Sequence, residues 1–294
     1  MIQWFPGHMT KARRLIIENT KLVNVIVELT DARIPISSRN PLLSELIGQK
    51  PRLLVMAKAD LAEPEMTTRW RQYFDKEGIS ALEIGFMGMS VKKEKKQILE
   101  GIKAQASREL TRRENRGLIN TSLRVMVIGI PNVGKSTFIN IFAGRSITET
   151  ADRPGVTRGK QWIRLDKDLE LLDMPGILWP KIDDPETGYK LAATGAIGEG
   201  AFDNEDLATW LLSWLKQNKP GSIENRYGVS ETPDAPELLE NIAIRRGFLR
   251  KGGVGETEKA AVILIDEFRG GKLGRITLDN NPQTERNNDE GQAD

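Results

Sequence analysis

Residues 129–136 read Gly-Ile-Pro-Asn-Val-Gly-Lys-Ser, and this stretch decides the fold. It follows the apolar run "LRVMVIGI" (123–130), which reads as a strand, and opens "KSTFINIFAG" (135–144), which reads as a helix. That context makes it a phosphate-binding loop: the glycines let backbone N–H groups wrap an anion, and the helix N-terminus adds its dipole. Asn132, Val133, Gly134, Lys135, Ser136 and Thr137 are the expected nucleotide contacts. Lys135 reaches the β and γ phosphates, and Ser136 can ligate Mg²⁺.

Working downstream, "LELLD" (169–173) is an apolar strand that ends in Asp173-Met-Pro-Gly176. A carboxylate there can hold the shell of a Mg²⁺ ion, and the Gly176 N–H can meet a γ-phosphate. Between the two motifs, "DRPGVT" (152–157) offers Thr157 as a third metal-side residue. A threonine between a phosphate loop and a strand-final Asp-x-Pro-Gly argues for a nucleoside triphosphatase with two segments that order around the γ-phosphate.

Working upstream, "AKAD" (Ala57, Lys58, Ala59, Asp60) follows the strand "PRLLVM". Guanine recognition ordinarily uses Asn-Lys-x-Asp after a strand, the Asp accepting from N1–H and the exocyclic amine, a pairing that adenine cannot make. Here the Asn is lost and the motif precedes the phosphate loop. "VNVIVELTDA" (23–32) and "GISALEIGF" (78–86) read as further strands, and 9–22, 66–77 and 92–116 as helical. "QWIRLDKDLELLDMPG" (161–176) reads as a hairpin pair. The alternation predicts an α/β doubly wound sheet. After about residue 185 the period turns helical, through 188–202, 204–218 and 235–249, and 257–279 reads as a further helix with a short extended end. The expected domains are therefore residues 1–184, a mostly helical 185–278, and a polar, disordered tail at 279–294.

Composition narrows the class. The 294 residues include no cysteine, which excludes disulfides and thiolate metal sites and fits a reducing cytoplasm. The N-terminus has no signal-peptide core, and no run of 18 apolar residues occurs, so no membrane partner is expected. The formal charge of +2 hides a tail of −4 on a body of +6. Basic clusters stand at Lys11, Arg13 and Arg14, at Arg112, Arg113 and Arg116, and at Arg245, Arg246, Arg250 and Lys251. Each reads as a solvated helix face or as a phosphate contact. Asp31 and Arg33, in "TDARIP" (30–35), either pair to shape their loop or meet RNA.

The reversed order of the motifs resembles the circularly permuted GTPases, and within them the RbgA/YlqF family of ribosome-assembly factors. The matching stretches are "IQWFPGHMTKARR" (2–14), "ELTDARIPISSRNP" (28–41), "KAD" (58–60), "IGIPNVGKSTFIN" (128–140), "DRPGVT" (152–157), "LELLDMPGILWPK" (169–181) and "TGAI" (194–197). The resemblance implies a circularly permuted P-loop GTPase fold and a cytoplasmic bacterial enzyme. Its partner would be a late precursor of the large (50S) ribosomal subunit and its rRNA, with GTP hydrolysis accompanying maturation. A monomer in solution is expected. Two departures stand out: Ala57 replaces the family's Asn, and Gly85 and Phe86 stand where the base-backing segment has Asn-Ser.

His8, on the Pro6-Gly7 turn, is the only histidine. The position after Asp-x-Pro-Gly, where many GTPases carry a water-orienting Gln, is Ile177, which is apolar. A mostly neutral imidazole can accept from the attacking water. A helix-starting role and an RNA contact remain alternatives, and the family's histidine in "FPGHM" is regarded as catalytic. Asn132 can offer an oxygen to K⁺ beside the phosphates. Two rivals to the GTPase reading stand: an RNA-binding nucleotide switch with negligible turnover, and an ATP-using P-loop enzyme, the latter opposed by Asp60.

Overall fold

A computed structural model describes residues 14–85, 91–107, 110, 111, 115, 122–143, 162–166, 169–173, 182, 184–198 and 200–280. Its described strands are β1 (Val25–Asp31), β2 (Arg52–Ala57), β3 (Ser80–Glu83), β4 (Leu123–Gly129), β5 (Trp162–Asp166) and β6 (Leu169–Asp173). They form one sheet of order β3-β2-β1-β4-β6-β5. All neighbours are parallel except β5 and β6, the hairpin that the sequence suggested. The register sets Val27 opposite Leu53 on one side and Val127 on the other. β1, β2 and β3 run outward on one flank of the phosphate-loop strand β4, and β6 and β5 on the other. The strand order therefore reverses between β1 and β4, the place where open α/β sheets bind ligands at the carboxyl ends of their strands.

The strands are apolar on both faces because helices cover both. Helix α1 (Leu43–Ile47) and the helical residues 14–20 supply Leu43, Ile47 and Ile16, which pack with Val23, Ile26, Met126, Ile128 and Leu172. Helix α2 (Pro64–Lys76) lays Trp70 and Phe74, one turn apart, on Ala32, Leu54, Met56 and Ala81. Burying each large apolar side chain contributes roughly 1.5–3 kcal/mol. Helices α3 (Val91–Gln105) and α4 (Lys135–Ala143) complete this unit. Glu28, in the middle of β1 and buried, is neutralised by Arg39 Nε at 3.0 Å and Arg52 Nη1 at 3.3 Å. Losing either partner would strand part of a buried charge.

The described residues from 182 to 276 form a second compact unit. It consists of α5 (Pro185–Ala193), α6 (Asn204–Asn218), α7 (Ser222–Tyr227), α8 (Ala235–Arg245) and α9 (Thr257–Arg269). Asp184, Asp203 and Asp234 cap α5, α6 and α8 by accepting first-turn N–H groups, which fixes where these helices start. The fully buried Leu207, Leu211 and Leu215 give α6 the apolar face that packs on α8 and α9.

Several boundaries differ from the sequence expectation. Helix α2 starts two residues early, because Pro64 fits the first helical turn, where its missing N–H costs nothing. Helicity expected over 188–202 stops at Ala193, where Thr194 caps the helix and Gly195 turns with φ +80°. The largest difference is at the C-terminal side. The sequence pattern places Thr277 and Leu278 in the helical domain and Asp279 in the tail, yet all three are buried in the sheet-containing unit. The physical reason is hydrogen bonding. Thr277 pairs with Glu63, the Leu278 N–H donates to the Arg33 carbonyl, and the Asp279 carboxylate accepts from Ile36 and Ser37. Among the described residues no helix is long and apolar enough to cross a membrane.

Candidate functional site

The phosphate loop closes between β4 and α4. Gly129 lies so close to β1 that a Cβ there would stand 2.7 Å from the Leu29 carbonyl and 3.0 Å from Val133 Cγ1. Asn132 and Gly134 take positive φ, +56° and +107°, which turns successive N–H groups toward the loop's concave side. Lys135 Nζ donates to the Gly129 carbonyl at 3.2 Å and the Ile130 carbonyl at 2.7 Å, folding the amine back over the loop. Val133 is buried, whereas Asn132, Ser136 and Thr137 are exposed.

The base loop leaves β2 at Ala57, whose methyl is 3.7 Å from where a Cβ on Gly134 would stand. Lys58 has φ +59° and sends Nζ to the Asn132 carbonyl at 2.7 Å, across 74 positions of sequence. The two motifs that the chain order separates thus meet. Ala59 N–H donates to the Ile84 carbonyl at the end of β3. Gly85 follows, and a Cβ there would crowd Asp60 at 3.1 Å from Oδ1. Glycine at 85 is therefore what lets the segment after β3 approach the half-buried Asp60. The Gly85 N–H donates to Glu94 Oε1 of α3 at 3.2 Å.

Beneath the base loop sits a buried cluster whose role the sequence left open. Asp31 Oδ1 accepts from Arg33 N–H and Nε, and Oδ2 from Arg33 Nη2 at 2.7 Å. Lys58 Nζ is 3.0 Å from the same Oδ2. Burial alone would push the Asp31 carboxyl up, but the charges of Arg33 and Lys58 and the Arg33 hydrogen bonds hold it well below the usual carboxylate range. Asp31 and Arg33 thus pair to shape the loop. The motif was visible in the sequence, but its tie to Lys58 carried no sequence signal.

Ser136 lies in the first turn of α4, and Asp173 ends β6 with its backbone in register with Val127 of β4. A hydroxyl and a carboxylate are the oxygen donors that Mg²⁺ takes alongside phosphates and water. His8, Lys11, Arg13, Phe86, Arg112, Arg113, Arg116, Thr157 and Gly176 lie outside the described residues. Of the basic residues described, Arg14 is engaged with Glu18 at 2.7 Å. Arg246 donates to Glu267 and stacks over the Tyr227 ring at 5.2 Å. Arg245, Arg250 and Lys251 are exposed.

Comparison with known proteins identifies the family and its fold. The family described as 50S ribosome-binding GTPase matches residues 124–223. That match begins at β4 and leaves the base loop outside, upstream. The chain is 44% identical to ribosome biogenesis GTPase A of Priestia megaterium, over 97% of this chain and 99% of that protein. It belongs to the ribosome biogenesis GTPase A family. A mitochondrial ribosome-associated GTPase 1 from Bos taurus is 33% identical, covering 94% of this chain and 88% of its own length. Among solved structures, GNP-bound YlqF from T. maritima matches with TM-score 0.64 and 26% identity, over 91% of this chain and 97% of that one. This ribosome biogenesis GTPase has the circularly permuted fold and is an enzyme that hydrolyses GTP.

Proposed function

We propose that this GTPase acts in the cytoplasm on a precursor of the large (50S) ribosomal subunit, binds its rRNA as a monomer, and hydrolyses GTP as the particle matures. The observation that carries the nucleotide part is the Lys58 bond to the Asn132 carbonyl, which joins a base loop and a phosphate loop at the strand-order reversal. The ribosomal part rests on what the relatives are named for and on the basic surface. Arg245, Arg250 and Lys251 contact phosphates of the rRNA, with Lys11, Arg13, Arg14 and Arg246 as further candidates.

Within the site, Asp60 selects guanine, and the phosphate-loop N–H groups and Lys135 hold the phosphates. Ala57, Ala59, Gly85 and Phe86 shape the base pocket, and Gly176 meets the γ-phosphate. Ser136, Thr157 and Asp173 would hold Mg²⁺, which would neutralise the charge that develops on the transferring phosphoryl group. Asn132 offers an oxygen to K⁺. His8 orients the attacking water, because Ile177 lacks a group to do so. GTP turnover, measured with and without large-subunit particles, tests this. Particles are expected to accelerate the native protein in potassium more than in sodium. His8→Ala is expected to bind GTP but lose roughly 100-fold or more of the stimulated rate, the usual size of a general-base contribution. Equal acceleration of both proteins would remove His8 from the chemistry.

A further inference from the structure

The base loop of this chain has a methyl group at position 57 and a lysine in the left-handed region at 58. A methyl makes no hydrogen bond, whereas the Lys58 amine donates to a carbonyl of the phosphate loop. An amine on a four-carbon stem loses considerable rotamer freedom when fixed, so something must hold it in place. The group that does so is Asp31. Its Oδ2 lies 3.0 Å from Lys58 Nζ, while the same Nζ donates to the Asn132 carbonyl at 2.7 Å. Asp31 is itself fixed by the two-pronged Arg33 fork, and both residues are almost completely buried.

The loop carrying Arg33 is clamped from the far end of the sequence. Arg33 offers its carbonyl to the Leu278 N–H at 2.7 Å. The Asp279 carboxylate accepts from the Ile36 and Ser37 N–H groups at 3.0 Å and from the Ser37 hydroxyl at 2.7 Å. Trp70 Nε1 donates to the Asp279 carbonyl at 2.9 Å, pinning the strap to α2. A continuous hydrogen-bonded path therefore runs from Asp279 through the 31–37 loop and Lys58 to the phosphate loop. The strap follows directly on the helical unit in the chain, which leaves the sheet unit after β6 and returns to it at Thr277.

We propose that Asp31 is a positioning residue for guanine-nucleotide binding, holding Lys58 on the phosphate loop, and that the Thr277–Asp279 strap keeps the Asp31 loop in the geometry this needs. The inference rests on the reading of residues 57–60 as the base loop. In consequence, residues 277–279, which follow the helical unit in the chain, set nucleotide affinity, and a pull on that unit reaches the nucleotide through them.

The experiment is a double-mutant cycle on the full chain, with fluorescent GDP titrated into the native protein, Asp31→Asn, Lys58→Met and the double variant. Lys58→Met is expected to weaken GDP binding about tenfold or more. Asp31→Asn is expected to weaken it by about tenfold, as befits loss of a charge-assisted hydrogen bond. In the Lys58→Met background, Asp31→Asn should cost less than about twofold, because its effect travels through the amine. The same factor in both backgrounds, or native affinity in Asp31→Asn, overturns the proposal. Should Asp31→Asn not fold by circular dichroism, Asp279→Asn replaces it in the same cycle, with a smaller loss expected when Lys58 is present and none when it is absent. Equal loss in both backgrounds again overturns it. Native GDP affinity in Lys58→Met would instead overturn the base-loop reading itself, and the proposal with it.

Discussion

Lys58 and Asn132 are the non-glycine residues with positive φ among those described, and they are bonded to each other. Residues with a Cβ enter that region at a cost of order 1–3 kcal/mol, and the surroundings must over-determine them. Here the over-determination is visible in the Asp31 carboxylate and the Asn132 carbonyl on the one amine. Gly129 shows the same tightness from the other side, since β1 leaves no room for a methyl. Gly129→Ala is expected to destabilise the full chain by about 1–3 kcal/mol in urea unfolding, the usual size of an overpacking penalty. It should weaken GDP binding as well, because the loop must shift off Leu29. At this scale the glycines and Lys135 were legible in the sequence, because a phosphate loop demands them in that order. Glu94 beneath Gly85 was not, because a helix glutamate reaching a backbone N–H leaves no pattern.

The strap at Thr277–Asp279 is the element that local reasoning misplaced. Its three residues carry one apolar side chain and precede a polar tail, so composition assigned Asp279 to disorder. What orders it is partners more than 200 positions away, in α2 and in the loop after β1. Trp70→Phe tests the docking. It keeps most of the apolar packing but leaves the buried Asp279 carbonyl without its donor, for an expected loss of about 1–3 kcal/mol in urea unfolding. A change within about 0.5 kcal/mol, the range of neutral surface substitutions, would mean that the strap is undocked in solution. Helix α6 and the strands other than β3 lie within a residue or two of their sequence bounds, because their apolar pattern is clear and Asp203 marks the start of α6; β3, expected over 78–86, is confined to Ser80–Glu83. The short α1 and α7 were missed, because five or six residues hold too few turns to show a period.

Across the whole molecule, the order of motifs already announced a permuted sheet, since a base motif upstream of a phosphate loop can close one site only if β2 lies on the near flank of β4. The electrostatics of the helical unit were less legible. Arg246, read as an RNA contact, joins Arg226 on Glu267. The Arg226 hydrogen bonds hold the Glu267 carboxyl down against burial, with Tyr227 and the Arg246 charge adding to the effect, so that it falls from the ordinary 4.5 to about 2. A depressed carboxyl contributes stability above its unfolded pKa, and that stability is lost as pH falls from about 4.5 through about 2. The thermal midpoint of the native chain should therefore fall over that window more steeply than that of Glu267→Gln, and parallel curves would contradict the pairing. Residues 57–60 and 129–136 are proposed to form one guanine-nucleotide site. The most direct measurement is displacement of bound fluorescent GDP by GTP, XTP and ATP from the native protein and from Asp60→Asn. An amide at position 60 turns one acceptor into a donor, which suits the extra carbonyl of xanthine and not the amine of guanine. Displacement of the native protein's nucleotide by GTP but not ATP, with a preference for XTP in the variant, is the predicted result. An unchanged preference for GTP in Asp60→Asn, or displacement by ATP from the native protein, would contradict it.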